Sequence, residues 1–505
     1  MMKKIDKDAL KSGIMSFFIM GLGQLRNKQK LKAVIFLSIL LLVILIEVLT
    51  GSYQYYGSEI MTYPADNGSI YFFRDYGGFF TRSLWGLFTL GKLPLSTVYR
   101  GQQMETYNKI IPWLSADNSV TLLGNGLIAL VIIALLATIW VIGIRDAYVT
   151  KKEYNKTKVI ESSVSFFKRI WTELFAYIIL VPAMVMILFF TVIPFLFSFS
   201  LAFTNYTFKI QVPAKLINWV GFSNFTKIVT DPAWLTIFFK VFLWTILYAL
   251  MASVTCYILG LINALIIESK AVKFKKFWRT LFSLPWALPA MISLMVFKNV
   301  FDTQGLANQL LYATNTMESV SNFLYQIGLQ GKLDNPIFWF TATYNGALAK
   351  VVIVLVNLWL GSPYFMMLIT GVLTTLPKAL YEAAEIDGAS KIQQFKSLTM
   401  PLVLQATLPV IVMTFTFNFN NFGAIYFLTG GGPEWPQELI PQSMRILGGV
   451  PGQTDILMTW IYKLSFTPNQ QLYNVAAVYS IIIFAFIGIF SVVNLSRSKT
   501  LWEEE

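Results

Sequence analysis

The sequence EAAEIDGASKIQQFKSLTMP occupies residues 382–401 and lies between two strongly apolar stretches. Its first part, up to Ile386, consists of residues that favour helix. Gly388 can adopt the left-handed conformation that ends a helix, and Pro401 suits the first turn of a following helix, where no backbone N–H is needed. The segment therefore predicts a helix, a sharp turn and a second helix. An ordinary solvated loop between two helices is the alternative reading of the same residues.

The composition around this segment is that of a membrane protein. Of 505 residues, 56% are hydrophobic and only 13% are charged, whereas a soluble domain carries about a quarter charged residues. Eight apolar stretches are long enough to cross roughly 30 Å of hydrocarbon. They lie near residues 31–49, 121–144, 174–202, 237–266, 279–300, 346–374, 404–428 and 473–495. We therefore expect an all-α polytopic membrane protein with about eight transmembrane helices, and with both termini on one side.

The positive charge is concentrated in the segments that would lie on that one side. The segments 1–32, 145–173, 267–279, 375–403 and 496–505 hold 25 of the 39 Lys and Arg residues. The positive-inside rule then predicts that both termini and residues 382–401 are cytoplasmic. The net charge of +13 is thereby explained by topology, and we expect no nucleic-acid partner. Residues 13–24, which are apolar but short, predict an interfacial or re-entrant helix.

Several chemistries are excluded by residues that the sequence lacks. The chain contains no histidine and a single cysteine, Cys256, so His-dependent catalysis and an internal disulfide are ruled out. No G-x-x-x-x-G-K-[ST] motif is found, and Gly430, Gly431 and Gly432 before Pro433 read as a flexible turn. We therefore expect no enzyme activity, no metal site and no cofactor in this chain.

The order of residues across 382–401 resembles the EAA loop of ABC importer permeases, which couples such a subunit to its ATPase. The matching residues are Glu382, Ala383, Ala384, Asp387, Gly388, Ala389, Phe395 and Pro401. Leu398 and Met400 depart from the usual residues but keep their apolar character. The small alanines would let a partner approach closely, and the carboxylates would bind its Arg or Lys.

The resemblance continues through SLPWALPAMISLMVFKNVF, VNLWLGSPYFMM, TFTFNFNNF and LTGGGP, which are similar to the MalF type of maltose and maltodextrin permease. It implies a six-helix permease core at 174–495. Ahead of the core we expect a cytoplasmic N-terminal segment at 1–30 and two accessory helices at 31–173 with an exterior loop at 50–120. A cytoplasmic tail at 496–505 follows the core. The segment 203–236 is too short for the folded exterior domain that MalF carries.

Uncharged polar and aromatic residues within the core form the candidate sugar site. Asn357, Gly361 and Tyr364 share a helix face by their spacing, and Thr414 to Asn421 form a second such face. Amides and hydroxyls buried in a membrane need partners, which either sugar hydroxyls or neighbouring helices can supply. In the resemblance, the residues that line the sugar site are Trp286, Asn357, Leu360, Gly361, Tyr364, Thr414, Phe417, Asn418 and Asn421.

The resemblance also implies a multi-pass protein of the bacterial cytoplasmic membrane and its partners: a second, MalG-like permease, an ATPase homodimer that binds ATP and Mg²⁺, an extracytoplasmic sugar-binding protein, maltose or maltodextrin as substrate, and membrane lipid. Two other classes of function are alternatives. An ion-coupled secondary carrier is disfavoured because the core helices offer no carboxylate at mid-depth. A membrane enzyme is disfavoured by the missing histidine. Another oligosaccharide, such as a raffinose-type galactoside, is the alternative substrate.

Overall fold

The computed structural model describes residues 6–51, 78–90, 119–160, 162–210, 217–269, 271–330, 335–341, 346–436, 438, 440, 444 and 449–497. Within these residues every named element is helical, so the expected all-α class is confirmed. Most of the expected exterior loop at 50–120 and residues 498–505 of the expected tail lie outside the described residues. The chain forms two compact units, Met1–Phe222 and Ser223–Glu505. The boundaries expected at 31, 174 and 496 stay predictions.

The first unit is built around one long helix. Its helices are α1 (Lys7–Phe18), α2 (Leu22–Arg26), α3 (Lys30–Thr50), α4 (Phe79–Thr89), α5 (Ser119–Thr157), α6 (Ser163–Glu173), α7 (Phe175–Ile187) and α8 (Ile193–Leu201). A π-helical turn joins α7 and α8 into one run. Both α1 and α4 pack along α5. Helix α2 is also fixed to α5 by buried amides, because Gln24 and Asn27 donate to the carbonyl oxygens of Gly143 and Ala147 at 2.7 and 2.8 Å.

The short apolar segment at 13–24 is divided between two helices. Helix α1 ends at Phe18, and α2 begins after Gly21, which is in the left-handed conformation at φ +89°. The exposed side chains of this pair include Phe17 and Phe18. Its interfacial placement stays a prediction.

The second unit contains the remaining helices. They are α9 (Ser223–Thr230), α10 (Pro232–Glu268), α11 (Lys275–Ala287), α12 (Ala290–Val300), α13 (Leu306–Ala313), α14 (Met317–Gln326), α15 (Ala347–Thr375), α16 (Lys378–Ile386), α17 (Lys391–Gln394), α18 (Met400–Phe419), α19 (Phe422–Leu428), α20 (Leu457–Phe466) and α21 (Tyr473–Arg497). Helices α10 and α15 form the most extensive helix pair of the unit. Gly260 on α10 permits their close approach, since a Cβ there would lie 2.9 Å from the Ser362 carbonyl oxygen.

Seven helices of the described chain are long and apolar enough to cross a membrane, and a bent pair brings the number to eight. The bent pair is α11 and α12, which meet at 86° where a single span at 279–300 was predicted. Pro289 causes the break, because the residue before a proline is driven from helical to extended geometry and Leu288 has φ −80° and ψ 143°. Hydropathy alone does not register this change of direction.

The predicted span at 404–428 is wrong in its bounds. The apolar helical run extends from Lys391 to Phe419, and a separate short helix, α19, begins at Phe422. Asn421 starts α19 by accepting a hydrogen bond from the Ala424 amide at 3.2 Å. Asn is a preferred helix-capping residue, so the new helix begins here rather than α18 continuing.

Candidate functional site

The segment 378–400 folds as a helix, a tight turn and a second helix, as its sequence predicts. Helix α16 ends at Ile386, and Gly388 follows in the left-handed conformation at φ +74°. The amides of Gly388 and Ala389 donate to the carbonyl oxygens of Glu385 and Ala384 at 3.1 and 2.9 Å, which closes the last turn. A residue with a side chain would be strained at position 388, although a Cβ would meet no atom within 4 Å.

The second helix is started by a capping box. The Ser390 hydroxyl accepts from the Gln393 amide, and the Gln393 side chain accepts from the Ser390 amide at 2.7 Å. Across the turn, Lys391 forms an ion pair with Glu385, and the Tyr381 and Thr399 hydroxyls lie 3.0 Å apart. These contacts hold the two helices of the segment at a fixed angle.

Pro401 lies in the first turn of α18, as the sequence predicts, but α18 continues a longer helical run. The helical run starts at Lys391, and a π-helical turn at Phe395–Thr399 lies directly before α18. A proline ring clashes with the carbonyl four residues earlier in a regular helix, and the wider π turn removes that close approach. The run therefore passes through Pro401 without ending.

The surface of this segment is apolar on both sides of the turn. Ile386 and Ile392 are strongly exposed, and no residue of α16 is buried. Such residues on a rigid turn suit a protein partner that covers them. The coupling role of Glu382, Ala383, Ala384, Asp387, Gly388, Ala389, Phe395 and Pro401 stays a prediction.

The predicted sugar-site amides meet inside the second unit. Asn357 on α15 is 9% exposed, and its side-chain oxygen accepts from Tyr248 on α10 and from Asn421, both at 3.5 Å. Asn418 on α18 is 3% exposed and donates to the Ser253 hydroxyl at 3.0 Å. Each of these amides therefore has a partner on another helix, which is the bonding that holds membrane helices together.

The predicted aromatic residues are arranged differently. Trp286 on α11 and Tyr364 on α15 are stacked, with ring centroids 6.2 Å apart and planes 27° from parallel. Trp286 is 54% exposed and Phe417 is 68% exposed. Flat apolar ring surfaces of this kind pack against the apolar faces of sugar rings. Trp286, Tyr364 and Phe417 are therefore the more exposed part of the predicted site.

The remaining predicted residues lie near these two groups. Gly361 is one turn from Asn357, and a Cβ at Gly361 would lie 2.9 Å from the Cys256 sulfur, so helices α10 and α15 are in close contact here. Leu360 packs against the apolar core of the unit. The Thr414 hydroxyl donates to the Val410 carbonyl oxygen of its own helix at 2.8 Å. The prediction that Asn421 shares a face of α18 is wrong, because Asn421 lies beyond the end of that helix.

Sequence reasoning missed the contribution of α10 to this region. Tyr248, Ser253 and Cys256 all contact the predicted amides, and the Tyr257 hydroxyl lies 3.1 Å from that of Thr407 on α18. The signal was a row of small or polar residues at near-helical spacing in an otherwise apolar span. Helix interfaces in membranes are enriched in such residues.

A buried ion pair fixes the chain between α19 and α20. Asp455 accepts from Lys463 and from the Gly452 amide, both at 2.6 Å, and its second oxygen is buried without a hydrogen-bond partner in the described chain. Burial raises the pKa of the Asp455 carboxyl, and Lys463 acts in the opposite direction. The neighbouring Thr454 carbonyl oxygen accepts from Trp244 on α10 at 3.0 Å, which ties this segment to the helices that carry the amides.

Comparison with known proteins gives the family. Residues 257–499 match the model of the binding-protein-dependent transport system inner membrane component. The chain is 33% identical over 487 residues to the galactooligosaccharides transport system permease protein GanP of Bacillus subtilis (strain 168), covering 96% of this chain and 97% of that protein.

Two further relatives differ in how much of their length is matched. The maltodextrin transport system permease protein MalC of Streptococcus pneumoniae serotype 4 is 32% identical over 467 residues, covering 92% of this chain and 90% of that protein. The maltose/maltodextrin transport system permease protein MalF of Salmonella typhimurium is 34% identical over 281 residues, covering 55% of this chain and 49% of that protein. This chain therefore belongs to the binding-protein-dependent transport system inner membrane components, the multi-pass and non-enzymatic permease subunits of ABC importers.

Proposed function

We propose that this permease carries maltodextrins, with Trp286, Tyr364 and Phe417 as the main contact surface for the sugar rings. The observation that carries the proposal is the exposed stacked pair of Trp286 and Tyr364 beside a cluster of uncharged amides. Such a site binds a neutral, hydroxyl-rich ligand by ring packing and hydrogen bonds, and its residues carry no charge. The relatives named as maltodextrin permeases support this choice of sugar.

The nine predicted residues would contribute in three ways. The aromatic residues would contact the sugar directly. The amides of Asn357, Asn418 and Asn421 would bind it only by exchanging their present helix-to-helix hydrogen bonds, since each has a partner now. Trp286, Leu360, Gly361 and Thr414 would shape the cavity and so influence the preferred chain length.

The proposed assembly contains a second, MalG-like permease, an ATPase homodimer that hydrolyses ATP with Mg²⁺, and an extracytoplasmic sugar-binding protein. Residues 378–400 would face the cytoplasm and contact the ATPase, with both termini on that side. The continuous helical run from Lys391 to Phe419 supports direct transmission from the turn at Gly388 to the helix that carries Phe417. Closure of the ATPases would then shift the permease between inward- and outward-facing states.

Galactooligosaccharides are the second candidate substrate. The galactooligosaccharide permease of Bacillus subtilis matches nearly the whole chain at 33% identity. Aromatic ring packing does not by itself distinguish glucose from galactose chains, because both expose apolar ring faces.

Competition in a reconstituted importer tests the proposal. The complex is purified with its partners, and uptake of a labelled maltodextrin is measured against unlabelled maltodextrins and galactooligosaccharides. We expect maltodextrins to compete at lower concentration, and Trp286→Ala to weaken uptake of every transported sugar. Stronger competition by galactooligosaccharides would favour the second candidate. Uptake that is unchanged by Trp286→Ala would contradict the proposed contact surface.

Thiol labelling tests the proposed orientation. In a Cys256→Ser background, a single cysteine at Ser390 should react with an impermeant maleimide only from the cytoplasmic side. A cysteine at Ser162 is expected to behave in the same way, because it lies in another segment of the positively charged side. Reaction of either cysteine from outside the cell would contradict the orientation.

A further inference from the structure

An apolar groove in the first unit lies between the start of α3 and helix α6. Its volume is about 610 Å³, and it is lined by Leu31 from α3 and by Val164, Phe167, Lys168, Trp171 and Thr172 from α6. Lys168 is the one charged residue of the lining. The groove is distant in sequence from the proposed sugar contacts, which all belong to the second unit.

Helix α6 packs on α3 and leaves apolar side chains exposed beside that contact. The Phe166 ring lies 4.9 Å from the Lys32 ammonium of α3. Val164, Phe167 and Trp171, which line the groove, are 80%, 62% and 58% exposed. This helix has 11 residues and is too short to cross a bilayer. A short helix with an exposed apolar face and basic residues lies in the plane of the membrane interface.

The connection to the next helix sets the depth of the groove. Helix α7 begins at Phe175, two residues after the end of α6, and runs with α8 as an apolar span to Leu201. The Trp171 ring contacts the Phe175 ring at 5.5 Å, so the apolar wall of the groove continues onto the start of that span. The groove is thereby placed where lipid headgroups meet acyl chains.

The charge around the groove is strongly positive. Residues 28–32 and 162–174 contain five cations, namely Lys28, Lys30, Lys32, Lys168 and Arg169, and one carboxylate, Glu173. Of the five, Lys32 is paired with Asp146 on α5 at 2.9 Å. Lys30 and Lys168 are exposed and belong to the two helices that form the groove. Clusters of Lys and Arg beside membrane helices attract anionic lipid headgroups.

We propose that this groove binds one anionic phospholipid. An acyl chain packs against Leu31, Phe167 and Trp171, and the phosphate lies near Lys168 and Lys30. The cationic rim supplies the preference for an anionic over a zwitterionic headgroup, and the apolar lining supplies the affinity for the chain. The proposal does not depend on which sugar the permease carries.

Native mass spectrometry of the full-length chain in detergent tests the proposal. The probes are phosphatidylglycerol and phosphatidylcholine with identical acyl chains. We expect the wild-type chain to retain phosphatidylglycerol, and Lys30→Gln with Lys168→Gln to weaken that binding roughly 5- to 30-fold, as the loss of two cations near a lipid surface implies. Lys273→Gln with Lys276→Gln removes two exposed cations of the second unit and should leave the binding unchanged.

A fluorescence measurement tests the acyl-chain contact separately. Phosphatidylglycerol with brominated acyl chains should quench the wild-type chain more than a Trp171→Phe variant, because Trp171 lines the groove. Equal binding of the two lipids by the wild-type chain would contradict the proposal. An equal loss of lipid binding in the Lys273→Gln, Lys276→Gln control would also contradict it. So would quenching that does not depend on Trp171, or displacement of the lipid when the second permease binds.

Discussion

The segment 378–400, which we propose contacts the ATPase, and the amide cluster of Asn357, Asn418 and Asn421 both contain polar residues near membrane helices, yet they are stabilised in opposite ways. The turn within the segment 378–400 is held by hydrogen bonds between residues no more than 18 positions apart, such as the pair Tyr381 and Thr399. In the amide cluster, Asn418 and Ser253 are 165 positions apart, and Asn357 and Tyr248 are 109 apart. The first is a preformed, exposed surface, whereas the second exists only once three helices have packed.

This difference separates two kinds of functional residue. An exposed turn can be altered with little effect on folding, so its variants report on partner binding. A buried amide contributes to helix packing, so its variants report on stability before they report on substrate. The predictions below test whether the two regions keep these separate roles.

The largest effect is expected at the coupling turn. Gly388→Val places a β-branched residue at φ +74°, which costs about 1–3 kcal/mol and disfavours the turn. We expect uptake to fall by at least about fivefold, and up to about 150-fold, since each 1.4 kcal/mol corresponds to a factor of ten. Uptake and partner-stimulated ATPase activity are measured in complexes matched for amount.

Gly388→Asn separates backbone strain from steric contact. Asn tolerates the left-handed conformation better than other residues with a side chain, and a Cβ at this position meets no atom of the chain. Near-normal uptake with Asn would show that the turn conformation is what matters. Loss of uptake with Asn as well would indicate that the ATPase approaches the backbone at Gly388. Normal uptake with Val would contradict the coupling role.

The second prediction concerns the buried amide Asn418. Asn418→Ala removes a hydrogen bond to Ser253 and leaves a cavity, and we expect the free energy of unfolding to fall by about 1–3 kcal/mol. A double-mutant cycle with Ser253→Ala should give a coupling energy of about 0.6 kcal/mol and no more than about 1.7 kcal/mol, the range for such bonds in membrane proteins. Unfolding is followed in detergent by denaturant titration.

Phe417→Ala is the matched control, because Phe417 is the neighbouring residue and is mostly exposed. It should change uptake more than stability. If Asn418→Ala left stability unchanged and abolished uptake instead, the two regions would not differ as described. Asn418 would then be a direct sugar ligand.

The sequence predicted features that depend on local chemistry or on hydrophobic length. Six of the eight apolar spans, the end of α16 near Ile386 and the left-handed Gly388 are confirmed. Two changes of direction were missed. The bend at Leu288 follows from Pro289, which is a local signal that averaging hydropathy over a window hides. The end of α18 at Phe419 depends on Asn421, which caps the next helix.

The internal bonding of the candidate site could not be derived from sequence. Spacing placed Asn357 on a face of α15, but nothing local indicates that Tyr248 and Cys256 on α10 lie opposite it. Such pairings depend on the register between helices far apart in the chain. The sugar contacts of the aromatic residues stay a prediction.

The third prediction sharpens the contrast within the candidate site. Tyr364→Phe keeps the ring stacked on Trp286 and removes one hydroxyl, whereas Trp286→Ala removes the exposed platform. We expect each change to weaken sugar interaction by about 0.5–1.5 kcal/mol, or roughly 2- to 13-fold, without loss of stability. Uptake of short and long maltodextrins is compared, and Trp286→Ala should alter the preference between them. Equal stability loss in both variants, with unchanged uptake, would make the aromatic pair structural.

The smallest effect is expected at the buried ion pair between α19 and α20. Burial raises the pKa of Asp455, so the folded chain holds that proton more tightly than the unfolded chain does. The tighter binding of this proton therefore stabilises the folded chain fully below the ordinary Asp pKa of about 4. This stabilisation is lost as the pH rises through the raised pKa of Asp455. Asp455→Asn should remove this pH dependence, and Lys463→Met should extend it to higher pH, because Lys463 lowers the carboxyl pKa. Thermal unfolding between pH 4 and 8 measures the effect of both variants, and Asp302→Asn at an exposed carboxylate is the control. Identical pH profiles for the wild type and Asp455→Asn would contradict the prediction. They would show that the Asp455 carboxyl stays ionised and that its pairing with Lys463 outweighs burial.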